Sequence, residues 1–138
     1  MKLIAIALSA LNRMLYRATG GRVGGAMKGA PILLLSTTGR KSGKTRTMPL
    51  LYLRDDGNLV IVASAGGAPA SPGWFQNLKA QPDVQVEIGR DRQGRRARVA
   101  TPEERARLWP QLVEMYSSYA DYQKKTTREI PVVILEPS

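Results

Sequence analysis

Three short apolar runs in the first half of the chain set the strongest limit on its fold: PILLLSTT from residue 31, MPLLYLR from residue 48 and NLVIVAS from residue 58. Each is bounded by turn residues and is shorter than a packed helix. The second and third are joined by Asp55-Asp56-Gly57-Asn58, a hairpin-type turn that forces antiparallel neighbours. The second half repeats the pattern. Val84 to Ile88 and Arg96 to Ala100 alternate with period two across an Asp91-Arg92-Gln93-Gly94 turn, and Pro131 to Leu135 reads as a last strand. Helices are inserted singly. One is short, with Ser71 as N-cap and Pro72 at its first position. Another opens on the capping box Thr101-Pro102-Glu103-Glu104 and runs to about Tyr116, and a further one covers Tyr119 to Lys125. About six short strands linked by hairpins predict a mainly β (α+β) domain, a small and mostly antiparallel barrel rather than a parallel sheet.

The basic turn between the first two strands, Gly39 to Lys44-Thr45, nearly matches a phosphate-binding P-loop. That motif needs four residues between its glycines and a helix after Lys-Thr, so that backbone N–H groups and the helix terminus hold the phosphates together. Here the spacer is one residue short, and Pro49 stands where the helix would need a donor. No Gly-x-Gly-x-x-Gly follows any strand, which also removes a Rossmann site.

Charge narrows the function. Residues 1–54 carry ten Lys and Arg and no Asp or Glu, whereas residues 55–138 carry eleven of each, so the whole excess of +10 lies in the first part. An anionic partner is expected there: a cofactor, a membrane surface or nucleic acid. The chain has no Cys and no His, which excludes a thiol nucleophile, an imidazole base, disulfides and the usual zinc sites. No metal is expected, and an enzyme with this inventory borrows its reactivity from a cofactor.

Residues 1–30 read as an amphipathic helix followed by a Gly-rich linker, and residues 31–138 as the barrel. Ile4, Leu8, Leu11 and Leu15 recur at helical spacing past the initial apolar run, and Gly20-Gly21 stops the helix. This favours a helix of the mature protein over a secretory signal, and with it a cytoplasmic location. The basic end of the helix suits either the inner surface of an anionic membrane or packing on its own barrel.

Three features can carry chemistry. In the turn, Arg40, Lys41, Lys44 and Arg46 place four cations within seven residues, and Gly39 and Gly43 allow backbone N–H groups to approach an anion. A solvated hairpin tip is the plainer reading. Ser64-Ala65-Gly66-Gly67-Ala68 leaves a strand through small residues, which admits a flat ligand, with Trp74 and Asn77 following. A flexible loop beside a core Trp is the alternative. Tyr116, Tyr119 and Tyr122, at steps of three, bring phenols to adjacent helical turns, where they line one pocket or simply pack.

The order GRKSGKTRTMPLLYLRDDGNLVIVASAGGAPASPGWFQNLKAQPDVQVEI, followed by TPEERARLWPQLVEMYSSYADYQKKTTREIPVVILEP, closely resembles the deazaflavin-dependent nitroreductase family, the A-type branch of the deazaflavin-dependent oxidoreductases of actinobacteria, over about residues 31–137. The resemblance implies a split β-barrel akin to FMN-binding barrels. It implies coenzyme F-420, an 8-hydroxy-5-deazaflavin with a phosphodiester and a polyglutamate tail, as hydride donor to a quinone or a nitroaromatic or nitroimidazole acceptor. On the matching positions, Arg40, Lys41 and Arg46 hold phosphate and carboxylates, with Ser42 and Lys44 nearby. Met48, Pro49 and Leu50 edge the ring. Ser64, Gly66, Gly67 and Ala68 line the ring or phosphate, and Trp74 and Asn77 support that wall. Tyr116, Tyr119 and Tyr122, with Ser64, form the catalytic side. Where the family commonly has Lys after that Ser, this chain has Ala65. Similar folds often form dimers. The rivals are an FMN-binding split-barrel oxidoreductase, whose single phosphate leaves much of the basic turn unused, and a non-enzymatic membrane or nucleic-acid binding module. Few aromatics accompany the basic residues, so nucleic acid is not expected.

Overall fold

A computed structural model describes residues 26–27 and 30–138. The expected N-terminal helix lies outside the described residues. Within the stretch read as linker, strand β1 (Ala26–Met27) pairs with the start of β2 (Ala30–Thr38). The other strands are β3 (Thr45–Leu51), β4 (Leu53–Asp55), β5 (Asn58–Val62), β6 (Asp83–Ile88), β7 (Asp91–Val99) and β8 (Val132–Pro137). Three helices follow in chain order: α1 (Gly73–Ala80), α2 (Pro102–Met115) and α3 (Ser118–Lys124). A 3-10 turn covers Ala65–Gly67.

Every strand pair is antiparallel, in the order β1-β2-β6-β7-β8-β5-β4, with β3 on the other side of β2. The sheet curls into a half-barrel, and its burial follows strand parity. Leu33 and Leu35 of β2, Leu59 and Ile61 of β5, and Val133 and Leu135 of β8 pack inward with Trp74, Phe75 and Leu78 of α1. The residues between them, Ile32, Leu34, Val60, Ile134 and Val132, pack outward beneath α2 and α3 against Leu108, Leu112 and Tyr119. Strands covered on both faces must be apolar at every position, which is why these three runs do not alternate. In β6 only one face is covered: Val84 and Val86 are buried while Asp83 and Gln85 are exposed.

Several sequence boundaries shift. The run from Met48 to Arg54 is not one strand. Tyr52 donates its N–H to Pro31 O at 3.1 Å, and there the chain leaves its pairing with β2 and takes up β5. The second hairpin turns at Gly89-Arg90 rather than through residues 91–94, since Gly89 has φ 61 and Ile88 pairs with Asp91. Glycine at the first position of a two-residue loop suits the strand twist, so the later Gly94 stays in β7. Pro72, not Ser71, is the N-cap of α1. The α2 capping box is present as the sequence predicts. Glu104 N–H donates to Thr101 Oγ1 at 3.2 Å and Thr101 N–H to Glu104 Oε1 at 2.9 Å, and Arg98 grips the same carboxylate at 2.6 and 2.8 Å.

Candidate cofactor and substrate site

β3 is bonded to β2 on one edge, and α1 packs on the inner core against β2 and β7. Pro49 is tolerated in β3 because an edge strand does not need every N–H. A cavity of about 330 Å³ opens here. Its walls are Met48, Pro49, Leu50 and Leu51 of β3, Val62 of β5, Ser64, Ala65 and Gly66 of the 3-10 turn, Pro72 and Trp74, and the three tyrosines. Leu51, Val62 and Pro72 were not foreseen as lining residues. Trp74 is 7% exposed, packs in the core and also walls the cavity.

A second cavity of about 190 Å³ is lined by Gly39, Arg40, Lys41, Ser42, Arg46 and Asn77, with no carboxylate among them. The turn that forms it is tightly built. Gly39 N–H donates to Lys44 O at 2.8 Å, and a Cβ on Gly39 would lie 2.7 Å from Ser42 Oγ. Gly43 has φ 71, which favours glycine. Asn77 lines this basic cavity rather than the apolar one. Its Oδ1 accepts from Arg40 N at 3.2 Å and Arg40 Nη1 at 2.8 Å, and its Nδ2 donates to Thr37 Oγ1 at 3.4 Å. Lys44 stays in the turn, with its N–H on Ser42 Oγ at 3.2 Å, and does not line the cavity.

The two cavities share their framework. Arg46 and Met48 are two residues apart on β3, so they project from the same face about 7 Å apart. Trp74 and Asn77 are three apart on α1, on one face of the helix. An apolar cavity and a cationic one thus draw on the same strand and the same helix.

The tyrosines meet, but not on one helix. Tyr116 is the C-cap of α2, with φ −147, while Tyr119 and Tyr122 lie on α3. The bend between the helices packs Tyr116 edge-on to Tyr119 at 5.0 Å between ring centroids and brings its hydroxyl 3.2 Å from that of Tyr122. Burial, with Tyr116 and Tyr122 beside it, pushes the Tyr119 hydroxyl well above the usual phenol range. Tyr122 is raised chiefly by its hydrogen bond with Tyr116. Tyr119 and Tyr122 therefore hold their protons near neutrality.

Two residues expected at the site stand behind it. Gly67, with φ 83, packs where a Cβ would fall 2.7 Å from Tyr122 O, and Ala68 gives its carbonyl to Arg128 at 2.9 Å. Arg128 itself was missed. Its partners lie about sixty residues earlier, and nothing local in TTREI marks it.

Fold and site together define a split β-barrel protein with an apolar cavity and a carboxylate-free cationic one on the same strand and helix. A family model for the F420H(2)-dependent quinone reductases matches residues 9–137, and the chain belongs to that family. The F420H(2)-dependent quinone reductase Rv1261c of Mycobacterium tuberculosis (strain ATCC 25618 / H37Rv) is 46% identical over 136 residues, which cover 96% of this chain and 91% of that protein. Among solved structures, an F420-H2 dependent reductase, FDR-A, matches with TM-score 0.71 and 48% identity over 77% of this chain and 94% of that one. HutZ, the heme storage protein of Vibrio cholerae, at 13% identity over 78% of this chain and 81% of its own, shares the fold alone with TM-score 0.60. The protein is thus an oxidoreductase that draws hydride from reduced coenzyme F-420, and its acceptor is of the quinone type.

Proposed function

We propose that coenzyme F-420 lies across the two cavities, with its deazaflavin ring at the apolar one and its phosphate and glutamates at the cationic one, and that the quinone enters from the tyrosine side. The observation that carries this reading is the pairing of an apolar cavity with a carboxylate-free basic one on the same strand and helix. Arg40, Lys41 and Arg46 hold the anionic part, Ser42 and Lys44 shape the turn, and Met48, Pro49, Leu50 and Trp74 flank the ring. Ser64, Ala65 and Gly66 close the wall. Gly67 and Ala68 support it from behind.

The chemistry supplied by the cofactor when bound is hydride transfer. The chain's own contribution is placement, exclusion of water by the apolar walls, and polarisation of the acceptor. Tyr119 lines the cavity, and its hydroxyl has no hydrogen-bond partner among the described residues. It donates to the quinone oxygen on which negative charge develops, while the Tyr116–Tyr122 hydroxyl pair links that oxygen to solvent for the proton that completes the hydroquinone.

A relative described as a domain-swapped dimer, 43% identical over 92% of this chain, supports self-association as part of this reading, measurable by light scattering. No helix among the described residues is long and apolar enough to cross a membrane. A cytoplasmic enzyme whose basic N-terminal stretch meets the inner membrane face to reach a lipid-soluble quinone fits the sequence, and co-sedimentation with anionic vesicles tests it.

Titration of the protein with oxidised F-420 and, separately, FMN at physiological salt tests the cofactor reading. Saturable binding of F-420 with little for FMN is the expected result. Preference for FMN overturns it, because one phosphate leaves the basic turn unused.

A further inference from the structure

The loop of residues 63–71, which gives Ser64, Ala65 and Gly66 to the cavity wall, is unusual in its backbone. Ala65, Gly66 and Gly67 all have positive φ, at 47, 64 and 83. For Ala65 that conformation is unfavourable, so something outside the loop must select it. Two backbone bonds inside the turn, Gly67 N–H to Ser64 O and Ala68 N–H to Ala65 O, are not enough to anchor it to the barrel.

Arg128 supplies the anchor. Its Nε donates to Ala68 O at 2.9 Å, its Nη1 to Ala63 O at 3.3 Å and Ser71 Oγ at 3.2 Å, and its Nη2 to Ala63 O at 3.4 Å and Ser64 O at 2.8 Å. One planar fork thus gathers both ends of the loop, and none of these partners is a carboxylate. Arg128 is in turn held by the tyrosine helix, since Gln123 Nε2 donates to Arg128 O at 2.8 Å while Gln123 Oε1 accepts from Ile130 N–H at 2.9 Å.

The bonds also fix the direction of two peptide units. All peptides are trans, so where Ala63 and Ser64 turn their carbonyls to Arg128, the N–H groups of Ser64 and Ala65 point the opposite way. Neither N–H has a backbone partner among the described residues, and Ser64, Ala65 and Gly66 are the loop members that line the cavity. Successive N–H groups across an αR to αL step form a concave donor set, and Ser64 is αR with φ −78.

We infer that Arg128 is a positioning residue for the cofactor site: its guanidinium holds the 63–71 loop in a left-handed turn that presents the Ser64 and Ala65 amides to the bound ring. This rests on the proposed placement of F-420. Arg128 touches neither cofactor nor quinone and acts through the loop. Lysine at this position keeps the charge but loses the fork, so it cannot serve both ends of the loop.

The test compares wild type with Arg128→Lys and Arg128→Met. Hydrogen exchange of the 63–71 segment without F-420, read by mass spectrometry, is expected to quicken about tenfold or more in both variants, while β2, β5 and β8 keep their protection. If the competent loop falls to about a tenth of the population, the F-420 Kd rises about tenfold, and kcat at saturating F-420 changes less than about threefold. A merely structural role lowers Tm without that split. Wild-type exchange rates in both variants, or unchanged F-420 affinity beside a loosened loop, overturn the inference. Failure of wild type to bind F-420 sinks the cofactor reading instead, and the exchange data still judge the loop. Should Arg128→Met not fold, Arg128→Lys with Ser71→Ala, which removes one anchor, decides by the same measurement.

Discussion

Removing the Tyr119 hydroxyl is the sharpest perturbation of the acceptor side. Tyr119 is 5% exposed and packed by Tyr116 at 5.0 Å and by Tyr122 and Trp109, each at 6.4 Å. Phenylalanine keeps that ring packing, and no hydrogen bond among the described residues is lost, so Tyr119→Phe should not lower Tm. The raised pKa decides which catalytic magnitude applies. A phenol that holds its proton so firmly gives a hydrogen bond to the quinone oxygen rather than a full proton transfer in the slow step. Such a bond is worth about 0.5–1.5 kcal/mol net, more where charge develops, so kcat/KM for the quinone should fall about tenfold. The F-420 Kd should change less than about twofold. Steady-state kinetics with a soluble naphthoquinone, beside a fluorescence titration with F-420, measures both. Unchanged kcat/KM, or a Kd that rises in step with the lost rate, refutes the reasoning. The sign in alkali follows as well. A pKa raised by folding contributes stability that is complete below the ordinary phenol value of 10.0 and is lost as pH rises above it. Tyr119→Phe should therefore resist alkaline unfolding better than wild type.

Other parts of the molecule give further expectations. Ala65→Gly relieves the left-handed penalty of about 1–2 kcal/mol against a backbone-entropy cost of about 0.5–1 kcal/mol, so Tm should rise by a degree or two; a lower Tm contradicts the strain argument. Asn77→Ala frees Arg40 from its 2.8 Å bond and leaves Thr37 without its amide partner, so F-420 affinity should drop about tenfold, with a smaller loss for an analogue lacking the glutamates. Equal losses for both ligands would place Asn77 at the ring after all. Glu104 is held at about 2 by Arg98 and by the Thr101 backbone, below its ordinary 4.5. Its stabilisation is present above 4.5 and disappears as pH falls toward 2, and because the pair stays in reach of water, with Arg98 37% and Glu104 25% exposed, it amounts to about 1 kcal/mol. Glu104→Gln should flatten that part of the acid-unfolding curve, and an unaltered curve would show that the pair contributes nothing.

Much of the fold was legible because turn chemistry and apolar runs are local signals. Asp56-Gly57, the Thr101 capping box and the apolar β2, β5 and β8 runs each dictate their own structure. The break at Tyr52 was hidden, because it depends on where β2 ends and β5 begins, not on Tyr52 itself. The second turn was read at Asp91 to Gly94 and lies instead at Gly89-Arg90, because it is Gly89 that takes the positive φ the hairpin twist needs. At the site, the clustered cations and the tyrosine spacing were visible in sequence, whereas the assignment of Asn77 to the basic turn and the role of Arg128 arise from contacts across 37 and about 60 residues. A polar side chain's partner at that separation leaves no local pattern.

The central claim is that this site brings reduced F-420 and a quinone together for hydride transfer. The most direct measurement is an anaerobic mixture of the protein, reduced F-420 and a soluble naphthoquinone, followed by the return of oxidised deazaflavin absorbance. The account predicts one F-420 oxidised per quinone reduced, at a rate proportional to enzyme and strongly reduced when Arg40 and Arg46 are both changed to Glu. Oxidation no faster than without protein, or a rate indifferent to those two charges, would contradict it.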